Sequence, residues 1–297
     1  MKKVHPLILC ISILFGGIVL YTACGEKELS PSEVRKAHAK MFDVVREHLN
    51  SPELFVRGEW QQHFGDANVY GPSFDLQYWK LTKDKKYLER AKAALDKNKE
   101  LVEAASKNLL ANLKHLENIA MALLGLLEAG VYLPDRKDYL KSADTLIKQL
   151  DDMAKGFQNY IDTSAGQFAA TTYGPTSLSA FLILLHLEHV YAHPKENRAH
   201  HLKRAKEIID SVHEKVWDKE MGMYRFSPKD TRKMLYPNIT MMLAYARAYQ
   251  ITSNEFFHTR FKDTYKGIQV LKNKAGDHYH SPYSAKEMKA KDEDYST

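Results

Sequence analysis

The chain has 297 residues, 44% of them hydrophobic and 27% charged, with a formal net charge of +6. That is ordinary globular composition, enough for one large domain with a substantial core. Basic residues alternate with acidic ones along predicted helices, as from Lys83 to Glu100. They form a solvated face rather than a phosphate-tracking stripe, which excludes nucleic acid as the expected partner.

In chain order, the first element is a targeting segment. Met1-Lys2-Lys3 is a positive start, and Leu7 to Leu20 is an apolar run too short and wrongly flanked for a settled membrane span. Small residues then precede Cys24 in Leu20-Tyr21-Thr22-Ala23-Cys24-Gly25. This resembles the bacterial lipobox, with Tyr21 where Leu is usual. The resemblance implies a lipoprotein signal peptide over 1–23, a lipidated Cys24 carrying an acyl chain such as palmitate, and a short linker over 24–31. Gly25 in place of an aspartate implies the outer membrane, on its periplasmic face, if the cell is Gram-negative. An ordinary secretory signal or a single anchor helix is the alternative. Cys10 and Cys24 are the only cysteines. The body therefore has no disulfide, thiol nucleophile or Cys-ligated metal.

From residue 32 to residue 297 the expectation is one helix-hairpin repeat domain. Leu202, Ala205, Ile208, Ile209 and Val212 mark one face of a helix. The same offsets recur at Leu140, Ala143, Leu146, Ile147, Leu150, and at Leu88, Ala91, Ala94, Leu95. Looser copies are His258, Phe261, Thr264, Tyr265, Ile268 and Val34, Ala37, Lys40, Met41, Val44. The copies lie about 50 to 60 residues apart, as in helix-hairpin arrays. Between them lie stretches that are apolar nearly all round: Ile119–Leu127, Ser177–Leu185 and Ile239–Tyr245, with Phe74–Leu81 a more polar version. A helix greasy on every side must be buried on every side. The pattern predicts an all-α architecture in which amphipathic outer helices wrap buried inner ones. No stretch alternates long enough to argue for a sheet.

The motifs Tyr78-Trp-Lys-Leu-Thr-Lys-Asp-Lys-Lys-Tyr87-Leu-Glu-Arg-Ala91, Trp217-Asp-Lys-Glu-Met-Gly-Met-Tyr224 and Ala244-Tyr-Ala-Arg-Ala-Tyr-Gln-Ile-Thr-Ser-Asn254 resemble those of six-hairpin (α/α) toroid glycosidase-like proteins, including N-acylglucosamine 2-epimerase-like members. The resemblance implies a toroid and carbohydrate binding or processing, by glycoside hydrolysis or sugar epimerisation. The sequence shows five outer and four inner helices, against six of each in a full toroid. An incomplete toroid would leave an open inner face for a protein partner.

The connections are of two kinds. Inner-to-outer turns are short and polar. Outer-to-inner connections are longer and carry aromatics, His and carboxylates, all expected at one end of the array. A scaffold that presents such loops on one rim suits sugar rings, whose apolar faces stack on aromatics while their hydroxyls hydrogen-bond. Asp66, Asp162 and Asp218 are the acid-base candidates, because glycoside hydrolysis needs two carboxyl groups flanking one bond. Trp60, His63, Tyr70, Tyr173, Trp217, Tyr224, Tyr236, His278 and His280 are the binding candidates. The alternative is structural: Trp217 and Tyr224 packing beneath their own loop, the Tyr before each Pro capping the core, and each carboxylate serving as a cap or ion-pair partner. His278-Tyr-His280 with His63 offers imidazoles at a metal-like spacing, yet H-x-H is common in loops, so the expected metal and cofactor set is none. His186 and His189 read as satisfied core histidines. No Gly-rich phosphate loop, G-x-S-x-G or H-E-x-x-H occurs. Two functions stand at this level: a carbohydrate-active or carbohydrate-binding envelope lipoprotein, and a non-catalytic envelope scaffold.

Overall fold

A computed structural model of the chain describes residues 55–56, 59–60, 67–109, 116–156, 174–193, 195–229 and 232–271. The expected signal segment with Cys24, and the copy at Val34–Val44, lie outside the described residues. The elements are β1 (Phe55–Val56), β2 (Glu59–Trp60), α1 (Ala67–Thr82), α2 (Lys85–Lys107), α3 (Leu116–Tyr132), α4 (Lys137–Gly156), α5 (Gly174–Ala192), α6 (Arg198–Val216), β3 (Trp217–Asp218), β4 (Met223–Tyr224), α7 (Leu235–Thr252) and α8 (Glu255–Ile268), closed by a 3-10 turn at Gln269–Leu271. The strands form two antiparallel ribbons, β1 with β2 and β3 with β4.

Two classes of helix emerge as the sequence predicts. Every residue from Thr176 to Val190 of α5 is buried, as is Ile119 to Leu127 of α3. In contrast, α2 buries only Tyr87, Arg90, Ala91, Ala94, Leu95, Asn98, Val102 and Ala105. On α6, the stripe Ala205, Ile208, Ile209, Val212 and Val216 is buried and the residues between it face water. One difference lies in α1, which begins at Ala67 rather than near Phe74, so Pro72 falls inside it. Asn68, Val69 and Tyr70 carry no apolar periodicity, and a Pro usually marks a first turn.

The described residues divide into two compact units: those up to 152 together with 191–193, and the described residues from 153 to 190 and from 195 to 271. In the first unit, inner α1 and α3 are joined by Gln77 donating to Glu128 at 2.8 Å. Inner α1 is held to outer α2 by Arg90, which donates to Asp75 through Nε at 2.6 Å and also through Nη2. In the second unit, inner α5 and α7 are joined by Arg247 donating to Glu188 at 2.5 Å. A polar side chain about one turn from the end of each inner helix therefore recurs, at Gln77, Glu128, Glu188 and Arg247.

The short turns repeat in atomic detail. Thr82-Lys83-Asp84 and Thr252-Ser253-Asn254 each place the middle residue at positive φ, 62° and 53°. Each Thr hydroxyl donates back into its own helix, to Tyr78 O at 2.9 Å and to Ala248 O at 2.7 Å. Asp84 and Asn254 then cap the next helix, accepting from Lys86 N at 2.9 Å and Phe256 N at 3.0 Å.

Candidate functional site

The outer-to-inner connection best described is the one between α6 and α7, in the second unit. It leaves α6 as the ribbon β3–β4, pairing Trp217 with Tyr224 and Asp218 with Met223. The turn needs Gly222, whose φ is +63°. A side chain there would also meet the Asp263 carbonyl at 3.0 Å, and one at Gly267 would meet the Gly222 carbonyl at 2.5 Å. Two glycines thus let the ribbon lie directly on the backbone of α8.

Both flanking inner helices hold this connection by their first turns. Asn238 of α7 is fully buried and takes Tyr224 from both sides: its Oδ1 accepts from Tyr224 N at 2.7 Å, and its Nδ2 donates to Tyr224 O at 3.0 Å and Met234 O at 2.8 Å. Thr176 of α5 donates to the Arg225 and Phe226 carbonyls at 2.7 and 2.9 Å. Arg225 pairs with Lys233 in an antiparallel bridge, and its guanidinium donates to the Lys215 carbonyl at 2.6 Å. These anchors had a sequence signal that the apolar count overlooked: polar residues sit in the opening turns of otherwise greasy helices.

Four predicted site residues have described side chains, and all four lie here. Trp217 is half-buried, its ring 4.7 Å from Tyr224 and 5.3 Å from His213, with the Arg260 guanidinium 5.4 Å from its centroid. Asp218 is held by Lys233 Nζ at 2.7 Å and accepts from Met221 N at 3.2 Å. Burial works to raise its carboxyl, but hydrogen bonds from Lys233 and from the Met221 and Glu220 amides outweigh it and leave it below the ordinary value. Asp218 therefore stays ionised and serves the turn; it is not set up as a general acid.

Tyr224 is corrected more firmly. It is fully buried, and its hydroxyl shares a hydrogen bond with that of Tyr245, itself fully buried. Burial, then the neighbouring Tyr245, push the Tyr224 phenol well above its usual value. No face of Tyr224 is open to stack on a ligand, so packing beneath its own loop is its role. Tyr236 is 8% exposed and tilts against Phe181 at 6.3 Å, a core-capping position.

Trp60 lies on β2 and Tyr70 on α1. His63, Asp66, Asp162, Tyr173, His278 and His280 lie outside the described residues. His186 and His189 are buried, as read from the sequence. In the first unit, sequence reasoning passed over Asp75, a fully buried carboxylate on an inner helix. Burial pushes it up to about 6, while Arg90 pulls it down. Both its oxygens face Arg90, so its visible work is to join two helices.

No family model matches the chain, and no curated protein matches it either. Solved structures do. A GH76 α-mannanase from Bacteroides thetaiotaomicron aligns with a TM-score of 0.59 at 16% identity, covering 94% of this chain and 79% of that one. A sugar epimerase from a ruminal bacterium aligns at 0.60 and 14%, covering 94% and 80%. A cellobiose 2-epimerase from Bacillus thermoamylovorans aligns at 0.58 and 12%, covering 95% and 80%. The chain thus shares the (α/α) toroid fold of these three enzymes.

Proposed function

We propose that the chain is a cell-envelope lipoprotein whose toroid binds or processes a glycan or sugar fragment at the end carrying the long connections. The observation that supports this most is the shared fold along 94–95% of the chain with one mannanase and two sugar epimerases. Asp66 and Asp162 are the acid-base residues of this reading. Trp217, with Trp60, His63, Tyr70, Tyr173, His278 and His280, supplies the binding surface. Cys24, acylated, anchors the chain to the membrane, on the periplasmic face of the outer membrane in a Gram-negative cell.

The test is a screen of peptidoglycan, uronate and neutral glycans for binding and turnover. Asp66→Asn or Asp162→Asn is expected to lower turnover by about a hundredfold or more while helical circular dichroism is kept. Anchoring is tested apart: Cys24→Ala should abolish incorporation of labelled palmitate and release the protein from the membrane fraction.

A second reading has its own support. Asp218 and Tyr224 are committed to structural partners, which favours a non-catalytic scaffold that docks a protein. Silence across all three glycan classes, with a stoichiometric envelope partner retained in pull-downs, would favour that reading instead.

A further inference from the structure

Five of the 14 histidines, His186, His189, His193, His200 and His201, fall between residues 186 and 201, around the turn from α5 to α6. Within the second unit three of them are buried together: His186 is 4% exposed, His189 6% and His201 7%. The His186 and His201 Nδ1 atoms face each other at 2.9 Å. The His189 ring stacks on His201 at 3.8 Å and 23°, and His200 meets the same ring edge-on at 5.1 Å and 82°.

This geometry has two chemical meanings. As a hydrogen bond, it needs one Nδ1–H donor and one bare Nδ1 acceptor, on rings in opposite tautomers. As a chelate, two nitrogens 2.9 Å apart, each about 2.05 Å from one ion, subtend about 90° at that ion. A tetrahedral ion would ask for about 3.3 Å between them, whereas 90° is the cis angle of a tetragonal Cu(II) or Ni(II) site. Imidazole is a fitting ligand for both ions. The rings on either side of His201 fix its plane before any ion arrives.

We propose that His186 and His201 are the cis ligand pair of a tetragonal divalent metal site of the Cu(II)/Ni(II) class, with water completing the coordination. The site staples inner α5 to outer α6. His186 lies ten residues along α5 from Thr176, about 15 Å at 1.5 Å per residue, so it is separate from the α6–α7 connection and does not depend on the carbohydrate reading.

The experiment uses the untagged full-length chain in detergent, titrated with CuCl2 and NiCl2 at pH 7.5. Thermal unfolding and the electron paramagnetic resonance of Cu(II) are the readouts. One ion per chain is expected, with nitrogen coupling in the copper spectrum and a raised melting temperature. His186→Gln and His201→Gln should each weaken binding by about tenfold or more, while His258→Gln, on α8, leaves it unchanged. Binding should fade as the pH drops below about 6, where imidazoles take up protons. Undiminished binding in both variants, or no copper uptake, would overturn the site. Because His186→Gln alters the core, the His201→Gln result and the copper spectrum of the unmutated chain decide the question if that variant fails to fold.

Discussion

Asp75 and Arg90 show how one buried pair shapes the response of the chain to pH and to mutation. The unfolded chain titrates Asp75 near 3.8, whereas burial, partly offset by Arg90 and Lys86, lifts the folded value to about 6. Between those values the folded state binds more protons, so stability falls as pH rises. The contribution is complete below about 3.8 and is lost as pH passes through about 6. Asp75→Asn should therefore flatten the stability profile across that window, read by urea unfolding at stepped pH; an unaltered slope would assign the dependence elsewhere. Arg90→Ala removes the partner and leaves a carboxylate in the core, at an expected cost of about 3–5 kcal/mol. Asp218 behaves differently. Its side chain keeps 22% of its exposure and Lys233 keeps 12%, so Asp218→Asn should cost no more than about 1 kcal/mol. The sequence left two roles open for Asp218 and Tyr224, ligand contact or a structural part within their own connection, and did not choose between them. Their roles depend on Lys233, Asn238 and Tyr245, partners 14 to 21 residues away for Tyr224, and residue type alone does not announce them.

Among elements, the helices were the most legible part. Outer helices showed a one-sided stripe and inner ones an apolar surround, because each class meets a different environment on every turn. The ribbons were invisible, since two residues give no alternation to detect. Short turns carried more information than their length suggests. Lys83 and Ser253 hold positive φ, a conformation that strains residues with a Cβ. Lys83→Gly and Ser253→Gly should each stabilise by about 0.5–1 kcal/mol, against roughly 1 kcal/mol lost in Asn254→Ala, where a helix cap disappears. Urea midpoints at constant m-value check all three. At Gly267 the opposite holds. A methyl group would lie 2.5 Å from the Gly222 carbonyl and 2.6 Å from that of Met221, and backbone cannot yield cheaply. Gly267→Ala should cost about 2 kcal/mol or more, and a neutral outcome would mean that the ribbon rides higher on α8 than described.

At the level of the whole molecule, the toroid architecture was readable because it is built from repeated units, and repetition multiplies a weak signal. The function was less readable. The long connection best described, between α6 and α7, proves to be anchored from both sides: Asn238 and Thr176 grip its backbone, and Tyr224 is sealed below. Shape-holding and ligand-holding residues draw on the same aromatic and polar types, so composition does not separate them. A sugar-binding role predicts that Trp217→Ala weakens glycan affinity by about 1–2 kcal/mol without lowering the helical signal, as measured by calorimetry on whichever glycan binds.

Trp217 has one practical consequence. It lies within 5.4 Å of Tyr224, His213 and Arg260, which makes its indole a natural optical gauge of the ribbon. In a Trp60→Phe, Trp79→Phe background its emission alone remains, and a shift in wavelength or intensity on adding a ligand, or on protonating His213, would report displacement of that segment without any attached dye.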